Sequence, residues 1–134
     1  MVSGLKYRVI PPPQAHKIQR IEDDVTVGLI SMDATPTAYV EWSVEVIVTL
    51  HIGDDVFTWK NTIKKPVENI PGIVIELLEK GHIYKDLENA WEHRCIEIGL
   101  TTQDLVRIRR RCDGIEEYLC QLKGLYKGAL CEAD

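Results

Sequence analysis

Four of the seven arginines in this 134-residue chain fall within Arg107-Ile108-Arg109-Arg110-Arg111. A guanidinium presents its donors as a rigid planar fork, so clustered forks suit bidentate binding of phosphate or carboxylate. On a helix Arg107 and Arg111 share a face with Arg110 beside them, which lets three forks converge on one anion. The same spacing supplies neutralisation, because Asp104 stands three residues before Arg107 and Asp113 four after Arg109. Arg107, Arg109, Arg110 and Arg111 are therefore the candidate anion-binding residues, and an ion-paired, solvated face is the competing structural reading.

The other chemistry-bearing residues carry weaker signals. Glu41 and Glu45 share one face of a strand, but at strand rise their Cα atoms stand roughly 13 Å apart, too far to share a proton. His93 and Cys95 are two apart on a helix and point in different directions, and His16, His51 and His82 are isolated in sequence. Cys95, Cys112, Cys120 and Cys131 form no Cys-x-x-Cys pair, so free thiols are expected. No phosphate loop, nucleophile elbow or zinc-protease helix is present. No catalytic residue, metal ligand or cofactor is assigned.

Strands come first and helices afterwards. Leu5–Val9 alternates apolar and basic residues before Pro11-Pro12-Pro13, which predicts a short edge strand and then an extended segment. Gln14–Asp24 is polar and reads as connector. Val25, Val27 and Leu29 predict a second strand ending before the turn-forming Asp33-Ala34-Thr35-Pro36. From Ala38 to Ile52 every even position is apolar, the period of a long strand with one buried face. Gly53-Asp54-Asp55 then turns it into a partner over 56–64, with Phe57, Trp59 and Ile63 on one side.

Past Pro71-Gly72, Ile73, Leu77 and Leu78 predict a short helix stopped at Gly81. A second helix is expected over 85–98, with Leu87, Ala90, Trp91, Cys95 and Ile98 inward and Asp86, Glu88, Glu92, His93 and Glu97 facing away. Thr101-Thr102-Gln103-Asp104 has the form of a capping box. After it Leu105, Ile108, Cys112, Ile115, Leu119, Leu122, Tyr126 and Ala129 recur at alternating spacings of three and four, a heptad seam. Of these, Leu105, Ile108, Ile115, Leu119, Leu122 and Tyr126 are the candidate oligomer interface if the seam meets a partner helix rather than its own core. Gly114 marks a possible break in it.

The expected fold is one α+β domain over 1–134. A two-layer arrangement is predicted, with an antiparallel sheet of about four strands within 1–65 and two or three helices within 70–134 packed on one sheet face. With a formal net charge of −5, the chain is not a generally phosphate-neutralising surface, so nucleic acid is an unlikely partner and would have to use the arginine cluster. The stretch 98–105 resembles the opening of a helix-turn-helix unit, but Val106–Arg110 lacks the glycine turn that would launch a recognition helix. No apolar run is long enough to span a membrane and the N-terminus lacks a secretory apolar core, so a cytoplasmic, intracellular protein is expected. The expected function is a small non-catalytic binding, inhibitory or accessory protein, homo-oligomeric, that occludes or sequesters a protein partner or itself. The alternative is a binder of an anionic small molecule such as a signalling nucleotide.

Overall fold

The computed structural model describes residues 7–10, 16–36 and 42–132. The chain is α+β. Its strands are β1 (Tyr7–Ile10), β2 (His16–Arg20), β3 (Thr26–Pro36), β4 (Trp42–Ile52) and β5 (Asp55–Ile63), and its helices are α1 (Ile70–Glu79), α2 (His82–Glu97), α3 (Thr102–Arg111) and α4 (Ile115–Glu132). The strands form a single antiparallel meander in chain order. Contacts gather the chain into two compact units, Met1–His51 with Val56–Ile83 and Ile52–Asp55 with Tyr84–Asp134.

The period-two run builds β4 as expected: Val44, Val46, Val48, Leu50 and Ile52 are buried, while Glu45 and His51 are exposed. Phe57 and Trp59 of β5 are buried too. The β4–β5 turn is tighter than the three residues expected, because β5 already begins at Asp55. Gly53 takes φ +61, which suits the first central position of a type II′ hairpin.

Two expectations are corrected: the first adds a fifth strand to the four expected, and the second lengthens β3. The segment 14–24 is not connector throughout, because His16–Arg20 is β2, paired with both β1 and β3. Only Ile18 of β2 is fully buried and the other four residues are half-buried, so one residue carries the whole apolar signal. Nor does β3 stop before Asp33: Asp33, Ala34, Thr35 and Pro36 stay in register with Glu45, Val44, Ser43 and Trp42. A proline at the last rung removes no interior bond. Leu5, Lys6, Pro11-Pro12-Pro13, Ala38, Tyr39, Val40 and Glu41 lie outside the described residues.

The loop after β2 is built from charges. Arg20 donates from Nε and Nη2 to the two Asp23 carboxylate oxygens, each at 2.9 Å, and Arg8 of β1 pairs with Asp24. Asp24 sits at φ +58, a conformation that aspartate tolerates better than most residues. Just beyond, the β2–β3 register shifts between Ile18 and Gln19, and Gly28 follows. A Cβ on Gly28 would lie 2.3 Å from the Thr49 carbonyl oxygen of β4, so the strands approach closely only because the side chain is absent.

In the first unit α1 lies beside β1 and buries Ile70, Val74, Ile75 and Leu78. Gly81 at φ +82 stops it as expected, but the helix begins at Ile70, three residues before the expected start, because Pro71 is accommodated in its first turn.

The second unit is helical, joined by the β4–β5 turn. Cys120 of α4 donates its thiol to the Ile52 carbonyl oxygen at 3.3 Å, and Lys127 lies 3.7 Å from Asp55. Its core is Cys95, Leu105, Tyr118 and Leu122, with Trp91, Leu100, Ile108, Cys112 and Ile115 packed around it. The heptad seam is one pattern on two helices: the chain leaves α3 at Cys112 in an extended conformation, and Gly114 takes φ +139 before α4 begins.

A candidate binding cleft between two helices

α2 ends in a Schellman closure. Leu100 N–H donates to Cys95 O and Gly99 N–H to Ile96 O, both at 3.0 Å, with Gly99 at φ +110. Thr101 then caps α3: Asp104 N–H donates to Thr101 Oγ1 at 3.1 Å, and Thr101 N–H returns to Asp104 Oδ2 at 2.9 Å. The bond from the Thr101 backbone N–H, aided by the Thr101 hydroxyl beside it, holds the Asp104 carboxyl below its ordinary pKa. The two closures fold α2 and α3 into a helical hairpin.

Between them lies a cleft of about 440 Å³ lined by Glu88, Glu92 and Ile96 of α2, Thr102, Leu105, Val106, Arg109 and Arg110 of α3, and Tyr118 of α4. The lining follows helix geometry, with positions i, i+4 and i+8 on α2 facing i, i+3, i+4, i+7 and i+8 on α3. Leu105 and Tyr118 are buried at its base, whereas Ile96 and Val106 are 44% and 49% exposed.

One end of the cleft is charged and internally bonded. Arg109 Nε is 3.8 Å from Glu88 Oε2, and the Arg109 guanidinium stands 5.5 Å from the centre of the Tyr118 ring. Tyr118 donates its hydroxyl to Glu92 Oε2 at 2.7 Å. Burial, reinforced by this bond to Glu92, pushes the Tyr118 phenol well above its ordinary pKa. Glu88 and Glu92 are thereby tied down, and Arg110 makes no ion pair with any described residue.

The four candidate arginines do not converge. Arg107 pairs with Asp104 at 3.2 Å, as the spacing predicts. Arg109 reaches Glu88 rather than Asp113, because the chain leaves the helix at Cys112 and Asp113 instead donates its N–H to Glu117. Arg109 and Arg110 line the cleft, while Arg107 and Arg111 do not and remain exposed.

Glu88 and Glu92 also correct the sequence reading, which faced them outward. The Glu88 side chain is only 15% exposed because α3 and α4 cover that flank of α2.

The six seam residues are drawn into the second unit or its margin. Leu105, Leu119 and Leu122 are buried, and Ile108 and Ile115 pack on the core. Tyr126 meets Trp91 edge-on at 5.7 Å. An oligomer formed through Leu105 or Leu122 would have to open this core.

Trp91 is also covered by Arg94, whose guanidinium lies 4.3 Å from the ring centre. His93 pairs with Glu97 at 3.0 Å. Cys95, Cys112 and Cys120 are free thiols, and burial raises the pKa of each, the opposite of what a thiolate nucleophile needs. Among the described residues no cluster of histidine, cysteine and carboxylate could hold a metal ion, and no helix is long and apolar enough to cross a membrane.

No family model, curated protein or solved structure matches this chain.

Proposed function

We propose that the chain is a small non-catalytic binding protein of accessory or inhibitory type, which takes up a segment of a partner protein in the α2–α3 cleft. The observation that carries this reading is the cleft itself. It pairs two aliphatic side chains held in solvent, Ile96 and Val106, with a bonded polar wall, the combination of apolar anchor site and polar rim found in protein interfaces. The free thiols of Cys95, Cys112 and Cys120 elsewhere in the chain suit a reducing, cytoplasmic setting.

The cleft also has the volume of a small-molecule site, and Arg109 and Arg110 within it support the reading of an anionic ligand. A polyphosphate is the poorer fit, because Glu88 and Glu92 stand in the same wall. Nucleic acid fits less well still, since Arg107 and Arg109 already have carboxylate partners.

A photo-crosslinking amino acid placed at Val106 tests the reading in the source cell, with the exposed Lys60 of β5 as control site. A discrete protein adduct from position 106 and none from position 60 is expected, and an adduct at twice the chain mass would make the partner a second copy. Equal adduct patterns from both positions, or none from 106, would overturn the proposal.

A further inference from the structure

The cleft has a polarity, and the polarity specifies its occupant. We infer, resting on the docking reading above, that it accepts an acidic amphipathic protein segment with an aliphatic residue and a carboxylate about 6 Å apart. Ile96, three residues before the Gly99 turn, and Val106, one helical turn before Arg110, supply the exposed apolar side chains, and Arg109 and Arg110 supply the cationic end.

Charge complementarity selects the acid. Of the four charged side chains in the lining, Glu88 faces Arg109 and Glu92 accepts the Tyr118 hydroxyl. Arg110 is left uncompensated among the described residues, with the exposed Arg111 beside it in the last turn of α3. A carboxylate brought to Arg110 gains a fork partner, whereas a lysine there meets a second cation.

Helix geometry sets the spacing. Val106 and Arg110 are four residues apart on one face of α3, about 6 Å along the axis. An occupant spans that distance with residues i and i+4 of a helix, or i and i+2 of a strand. The lined stretch from Thr102 to Arg110 is about 12 Å long, enough for two helical turns or a few extended residues.

Selection of a displayed random dodecapeptide library on the whole protein tests this. The wild type, Val106→Glu and Arg110→Glu serve as targets, with circular dichroism establishing that each variant is folded. Peptides with an aliphatic residue and Asp or Glu at i/i+4 or i/i+2 are expected to be enriched on the wild type. They should bind Val106→Glu at least tenfold more weakly, and on Arg110→Glu the preference should turn to Lys or Arg at the same spacing. Enrichment that depends on Val106 without any acidic preference would overturn this inference and leave the docking cleft standing. Enrichment indifferent to Val106, or no enrichment, would overturn both.

Discussion

Tyr118→Phe removes one oxygen atom from the base of the cleft. The hydroxyl donates to a carboxylate at 2.7 Å from a side chain that is 1% exposed. A hydrogen bond to a charged group contributes about 1.5–3 kcal/mol, and Glu92, being half-buried, can recover part of that from water. A net loss of about 1–2 kcal/mol is expected, which for a cooperative chain of this length lowers the melting midpoint by about 4–7 °C. The sign with pH follows from the raised phenol pKa. The folded state holds this proton more tightly than the unfolded chain, whose phenol titrates near pH 10. The contribution is therefore complete below pH 10 and fades as the pH rises above it. Cys95 and Cys120, raised above 9.0, add a decline that begins near pH 9. Urea titrations from pH 7 to 11 should show the wild type losing stability more steeply than Tyr118→Phe above pH 10. A midpoint change under about 1 °C at pH 7, with Tyr118→Phe and Glu92→Gln strictly additive in a double-mutant cycle, would refute the assigned bond.

Gly28→Ala places a methyl 2.3 Å from the Thr49 carbonyl oxygen, so β3 must move away from β4. A loss of about 1–3 kcal/mol in urea unfolding is expected, and amide exchange should accelerate first along β3. Gly114→Ala meets no atom within 4 Å, yet φ +139 strains any side chain. A loss of about 1 kcal/mol or more is expected, together with weaker near-ultraviolet dichroism from Tyr118 as the α3–α4 corner loosens.

What the sequence revealed depended on how many residues shared each signal. β4 was legible because apolar residues occupy every even position from Ala38 to Ile52, and its described part buries five of them. The α3 cap was legible because both of its partners are local, Thr101 and Asp104. β2 was not, since its strand character comes from bonds to β1 and β3 and its only fully buried residue is Ile18. The arginine cluster marks one wall of the cleft, but the residues that complete the cleft, Glu88, Glu92 and Ile96, lie on another helix. Their spacing of four and eight was visible. What it faced depended on tertiary packing.

The seam shows why periodicity alone could not locate the cleft. Alternating spacings of three and four from Leu105 to Ala129 describe an unbroken helix as well as two helices folded back on each other, because each half keeps its own stripe. The distances decide between them. On one continuous helix Arg109 and Tyr118 would stand about 13 Å apart along the axis, yet the guanidinium lies 5.5 Å from the ring. The corner at Cys112–Gly114 therefore brings Tyr118 back beneath α3. There it occupies Glu92 with its hydroxyl, while Arg109 turns to Glu88. Arg110 is left with no carboxylate of its own among the described residues. The arginine-bearing end of the cleft thus follows from the interruption of the seam rather than from the arginine run by itself.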